Sequence, residues 1–306
     1  MKIIFRPRDF ARGNTTTPTP HTDLSHISNP WPAQFARFLD WTGTPLELSS
    51  ILNRDKSQHL YHPHGKAGCE AIWTREIPLD ESWRVAAHHS NKVASIEHFD
   101  PLDLQQADGI TTRGRHFIRP LAIYTADCMA IATTLETEDR VELASCFHAG
   151  WRGYVTGIQQ VALKAYFAEQ TRLLKASPDL SAEIYITVSP AIVGQNYPCG
   201  ADVLQAIQDH HAKSLMTLKR WTKHHEDAFW ASVGVDRFER DAKIYPDLQA
   251  LFCIEAHALG IQLQNLAVFR DDTFSSDWWP SHRRAMAQGQ PRSGRLITHL
   301  SPSACS

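Results

Sequence analysis

The chain has 306 residues, 42% of them hydrophobic and 21% charged, which is enough apolar material for one large globular domain or two ordinary ones. Its formal net charge of -2 removes the electrostatic case for nucleic acid or an anionic membrane as a partner and leaves a small molecule as the expected ligand. The opening MKIIFRPRDF has only a short apolar run before charge returns, and nowhere do about 18 apolar residues run together, so neither a secretory signal nor a membrane span is expected. Cys69, Cys128, Cys146, Cys199, Cys253 and Cys305 are scattered, with no CxxC pair, and look like free thiols of a reducing compartment. The cytoplasm is the expected location, and oligomeric state is not legible.

In chain order, residues 12 to 32 combine Thr, Pro, Ser and Asn without apolar periodicity, so residues 1 to 32 read as a loop-rich arm. A short helix is expected over 33 to 41, then a polar, His-bearing stretch to about residue 80. From Trp83 the runs RVAAHHSNKVASI, RPLAIYT, MAIATT and VELASCF read as strands, with apolar and polar positions alternating in the last. HAGWRG (148 to 153) opens a helical pattern through Val155, Ile158, Val161, Leu163, Ala165 and Phe167. EIYITVSPAI reads as a buried strand, VGQNYPCG as a turn and ADVLQAIQDHHA as a helix. DLQALFCIEAHALG is a helix stopped by Gly260, and IQLQNLAVFR and GRLITHL are closing strands. Strands and helices do not alternate strictly enough for a doubly wound sheet, so the fold class is α+β, with one domain over 1 to 306.

Three segments carry a metal-competent residue beside a chain reversal: His88 and His89 in AHHSNKV, Cys128 in YTADCMA and His148 in FHAGWRG. Zinc takes imidazole nitrogen and thiolate sulfur, and catalytic zinc commonly keeps three protein ligands and one open position. The ligands are far apart in sequence, so only folding could unite them, and a lone buried Cys also serves as a small core residue. Arg152, in the glycine turn before a helix, is a candidate phosphate ligand as well as an ordinary ion-pair partner. Asp127 is a carboxylate that either assists the site or closes its own turn. His59, His62 and His64 could meet a metal adventitiously; His224 and His225 read as a solvated helix face, and Trp278 and Trp279 as buried aromatics or a stacking surface.

The segments HSNKVASI, ADGITT, YTADCMAIATT, FHAGWRGYVTGIQQ, SPAIVGQNYPCGADV and WWPSHRRAMAQGQPRSGRLITHL occur in the order of the motifs of the YfiH-type laccase-domain family, also described as multicopper polyphenol oxidase or purine nucleoside phosphorylase. The resemblance covers roughly residues 84 to 300. It implies central mixed β-sheets flanked by helices in α/β/β/α layers, with zinc held by His89, Cys128 and His148. HSNKV aligned with the family's HGxxV selects His89, and strand alternation sends His88 to the other face. Arg283 in PSHRR matches a family arginine of the same pocket. The N-terminal motifs TRxGGxS and NLxxHVGD have no counterpart in residues 1 to 80, and Asp272 stands before Thr273 where the family commonly has Cys.

The resemblance implies phosphorolysis of purine nucleosides (adenosine, inosine, guanosine, methylthioadenosine) and deamination of adenosine. Cys128, His148 and Asp127 would be the catalytic groups, and Arg152 and Arg283 would hold phosphate or nucleoside. Alternatives are a cysteine hydrolase or amidase acting on peptidoglycan precursors, a copper polyphenol oxidase, and a non-catalytic zinc-binding protein. One His/Cys/His set offers no multicopper array.

Overall fold

The structure, a computed structural model, describes residues 2–4, 60–74, 82–98, 105–138, 140–234 and 243–302. The strands in chain order are β1 (Lys2–Ile4), β2 (Leu60–His64), β3 (Cys69–Thr74), β4 (Trp83–Arg84), β5 (Val93–Ser95), β6 (Gly109–Arg113), β7 (Leu121–Thr125), β8 (Met129–Glu136), β9 (Val141–Ala149), β10 (Glu183–Val188), β11 (Leu266–Phe269) and β12 (Leu296–Ser301). The helices are α1 (Trp151–Val155), α2 (Ile158–Ala176), α3 (Ala201–Lys213), α4 (Lys223–Val233), α5 (Leu248–Leu259) and α6 (His282–Ala287).

The strands form two mixed sheets, one of seven in the order β1-β11-β10-β8-β9-β6-β5 and one of five in the order β2-β3-β12-β7-β4. Period-two alternation on β8 and β9 explains the layering. Met129, Ile131, Leu135, Leu143 and Phe147 face a large core shared with α1 to α5. Their neighbours Ala130, Ala132, Ala144 and Cys146 join Leu121, Ile123 and Leu300 of the smaller sheet in a second core. Small side chains on that face let two sheets pack close, and cover on both faces leaves every residue of β8 buried, Thr133, Thr134 and Glu136 included.

Most expected elements appear near their expected bounds, confirming the α+β class. The segment 84 to 96 is the main difference: it contains two short strands separated by an irregular loop. The helix expected after HAGWRG is split, because Gly157 at φ 80° adopts the left-handed region and turns the chain between α1 and α2. β6 carries the ADGITT segment, whose alternation is too short to read. Of the expected 1 to 32 arm, Lys2–Ile4 is a strand paired parallel with β11; the rest of the arm and the helix expected over 33 to 41 lie outside the described residues. His225 is buried, so only His224 fits the expected solvated face. His64 is also buried, hydrogen-bonded to Thr134 and Thr187; His59 and the side chain of His62 lie outside the description. Trp279 is buried against Phe269, and its indole donates to Asp271. Among the described residues, no helix is long and apolar enough to cross a membrane.

Candidate metal centre

The site follows from strand register. In the antiparallel pair β8 and β9, Met129 lies opposite Ala149 and Ala130 opposite His148. One step further, Cys128 lies opposite Gly150. In the antiparallel pair β6 and β9, Gly109 lies opposite Phe147, so the next position sets Asp108 opposite His148, and the His148 amide donates to the Asp108 carbonyl at 2.6 Å. The loop before β5 brings His89 to the same sheet end. Ligand atoms of His89, Cys128 and His148 then lie within 4.8 Å of one another, and the two imidazoles meet edge to face at 4.9 Å.

Asp108, which the sequence reading did not single out, organises this cluster. Its buried carboxylate accepts from His148 Nδ1 at 2.8 Å, from the Ser90 amide and hydroxyl at 2.6 and 2.7 Å, and from the His89 amide at 2.9 Å. Burial pushes the Asp108 carboxyl up, but the hydrogen bonds from His148, Ser90 and His89 outweigh it and hold it well below the ordinary range. With Nδ1 engaged, His148 presents Nε2 to the cluster, an arrangement characteristic of metal-bound imidazole. The signal in the sequence was an acidic residue in a motif immediately before a strand.

Burial also raises the Cys128 thiol, yet hydrogen bonds with His148 and His89 bring it down to about 7. Burial lowers His148, but Asp108 and Cys128 together carry it up to about 9. The two shifts share one cause, the thiolate and the imidazole ring each favouring the other's charged form. Gly150 is required by the space: a Cβ there would lie 2.7 Å from Cys128 Sγ and 3.1 Å from His89 Cδ2. His89 at φ 64° and Asp127 at φ 79° are the non-glycine residues at positive φ among the described residues, and both flank the cluster. His and Asp tolerate that region better than most residues, and such outliers gather at functional sites.

The remaining expected residues occupy distinct places. Asp127 points its two oxygens at the Thr273 hydroxyl, 2.7 Å, and the Arg283 amide, 2.8 Å. It therefore joins the Cys128 turn to the segment 273–283. Arg283 lies over the Tyr197 ring at 4.6 Å and donates to the Pro198 carbonyl. Burial raises the Tyr197 phenol, Cys199 and Cys128 add to the effect and Arg283 opposes it; the Asp127 contact sets the Arg283 amide against the turn that carries Cys128. Arg152 is exposed, with its guanidinium 4.4 Å from the Trp151 ring. His88 is exposed; its amide reaches the Asp108 carboxylate. Asp272 accepts from the Val193, Phe274 and Ser275 amides and from Asn196 Nδ2, tying the turn before α3 to the late loop.

The family model described as multi-copper polyphenol oxidoreductase laccase matches residues 69–301. The chain belongs to this laccase-domain family, of the YfiH type. Among solved structures, a Neisseria meningitidis protein is similar at 18% identity and a TM-score of 0.57, covering 83% of this chain and 100% of that one. The Bacillus licheniformis hypothetical protein YfiH matches at 16% identity and a TM-score of 0.57, over 82% of this chain and 98% of that one. YlmD from Geobacillus stearothermophilus matches at 18% identity and a TM-score of 0.57, over 83% of this chain and 100% of that one. No curated protein matches the chain. At these identities the solved structures establish the shared laccase-domain fold.

The donors present fit a metal ion. Two imidazoles and one thiolate converge, the carboxylate behind His148 fixes its ring, and Gly150 leaves the space open.

Proposed function

We propose that this laccase-domain protein is a cytoplasmic, zinc-dependent purine nucleoside phosphorylase that also deaminates adenosine, acting on small molecules. The observation that carries the reading is the convergence of His89, Cys128 and His148 with Asp108 behind His148. A mixed imidazole–thiolate set suits zinc, and three protein donors match the count of catalytic rather than structural centres. Zinc bound there supplies Lewis acidity, which polarises an oxygen or acidifies a water.

The chain's own groups would do the rest. Asp108 holds the His148 tautomer with Nε2 facing the cluster. Arg283, fixed by the Pro198 carbonyl and the Tyr197 ring, is a positioned cation for phosphate. Exposed Arg152 adds a second, adjustable cation. Asp127 keeps Arg283 in place through its amide. The test is chromatography of adenosine incubated with zinc-loaded protein, with and without phosphate, beside Cys128→Ala. Adenine formed only with phosphate, or inosine formed in either case, and both lost in the variant, support the reading; unchanged adenosine overturns it.

A second reading has its own observation. Cys128, His148 and Asp108 form a nucleophile–base–carboxylate relay, as a cysteine hydrolase or amidase would need. His89 separates the two readings: a relay does without it, whereas a three-ligand metal centre does not. Turnover of an amide by metal-free His89→Gln, with a thioester trapped at Cys128, would establish the hydrolase. Copper-dependent oxygen uptake with a phenol would establish instead the oxidase that the family description names.

A further inference from the structure

We propose that the protein has a second ligand site, remote from the metal centre, that binds a small phosphate monoester in an arginine-lined cavity at the opposite end of β6 and β9. The cavity has a volume of about 520 Å³, within the range of small-molecule sites. It is lined by Arg113 at the end of β6, Arg115 just beyond, Arg140 before β9 and Arg172 on α2, with Glu142 and Glu169 as the acidic residues of the wall. The strand positions separate it from the metal centre: Asp108 and His148 lie at one end of this strand pair, and Arg113 and Glu142 lie five and six residues away, about 17 to 20 Å along extended chain.

The charges do not cancel within the cavity. Glu169 serves both Arg172, at 2.6 Å, and Arg113, at 3.7 Å. Glu142 serves Arg140 at 2.7 Å. Arg115 donates to the His116 ring and to no carboxylate among the described residues. Among the lining residues, four guanidiniums against two carboxylates leave an excess of two positive charges, with Glu97 outside the wall on the Arg113 amide; that excess suits a phosphate monoester dianion with its three acceptor oxygens. Buried Phe117 gives the wall an apolar patch for a small organic body. Gly114 holds the rim close, because a Cβ there would fall 1.6 Å from the Val141 carbonyl oxygen. The volume limits the occupant to a small molecule, and an RNA or DNA strand is the alternative that the test addresses.

The test is calorimetric titration of the folded, zinc-loaded protein with glycerol phosphate, inorganic phosphate, glycerol and a short single-stranded oligonucleotide. Glycerol phosphate should bind, glycerol should not, and Arg115→Gln with Arg140→Gln should weaken binding roughly tenfold or more. Glu169→Gln removes the internal competitor and should tighten binding several-fold. Hydrogen exchange should slow at 113–117 and 140–142 and stay unchanged at 148–152, which separates this site from phosphate bound at the metal centre. No binding, protection confined to 148–152, unaltered affinity in the arginine variant, or preference for the oligonucleotide would each overturn the proposal.

Discussion

Gly150→Ala tests the geometry of the metal cluster with one added carbon. The backbone at Gly150, φ -78° and ψ 175°, is open to any residue, so the change brings no conformational strain. The cost is purely steric. The new Cβ would stand 2.7 Å from Cys128 Sγ, about 0.7 Å inside the 3.4 Å at which ordinary contact begins, and would also press on His89. The Cys128 donor must therefore shift by several times the ~0.2 Å within which metal–ligand distances are held, and the His89 ring by a few tenths of an ångström. We expect zinc affinity to fall at least ~100-fold, or about 2.7 kcal/mol, while the metal-free fold loses about 1–2 kcal/mol to overpacking. Gly289→Ala is the control: its φ of 68° strains an alanine, but open space surrounds it, so it should lower stability without touching zinc. Competition with a chromophoric chelator measures affinity, and melts with and without zinc measure the fold. If Gly150→Ala bound zinc like the parent, the cluster would not have the donors and close packing described here.

Asp108→Asn should weaken zinc about 10- to 100-fold in the same chelator competition, because the neutral amide cannot accept from both the His148 ring and the Ser90 group as the carboxylate does. Arg270→Met breaks a buried bidentate pair with Asp247 and leaves that carboxylate uncompensated, so denaturant unfolding should report a loss of about 3–5 kcal/mol. Asp272→Ala should cost about 1–3 kcal/mol in the same assay by releasing the amides of Val193, Phe274 and Ser275. His225 titrates near 4 in the fold instead of 6.5, first because it is buried and then because His257 and His224 face it. The folded state therefore holds it neutral, and its contribution is intact above about pH 6.5. That contribution is lost as pH falls toward 4 and the unfolded chain takes up a proton that the folded chain refuses. Melts across that window should show about 1–3 kcal/mol of acid destabilisation, reduced in His225→Gln.

The grouping of His89, Cys128 and His148 was legible because resemblance supplied what spacing could not. Cys128 and His148 are 20 residues apart, and nothing in that interval by itself says that they meet. The hairpin does say so once its reversal is placed: the Thr137 amide donates to the Arg140 carbonyl, and the register that follows sets Cys128 against Gly150. Both strands could be read from the sequence, but the turn could not, since it carries no glycine or proline. Asp108 escaped for a different reason. Its strand is five residues long, and its role comes from pairing with β9, 40 residues on, which no local pattern encodes. His225 was misjudged because its neighbours in sequence are polar. Its burial is created by Trp221 stacking on it and by His257 arriving from α5.

Two aspartates convert four separate segments into one site. Asp108 accepts from the 88–90 loop with one set of hydrogen bonds and from His148 with another, so the loop that carries His89 and the strand end that carries His148 share a single anchor. Asp127, adjacent to Cys128, holds Thr273 and Arg283 in the same way and draws the late segment against the thiolate's turn. Each carboxylate is satisfied by groups that are distant in sequence, so neither segment pair closes without the other half of the fold. Ligand geometry and the placement of Arg283 are therefore consequences of the same tertiary closure. That coupling gives a physical reason for the Arg283 segment to lie against the turn that carries Cys128, and it holds whether Cys128 serves as a ligand or as a nucleophile.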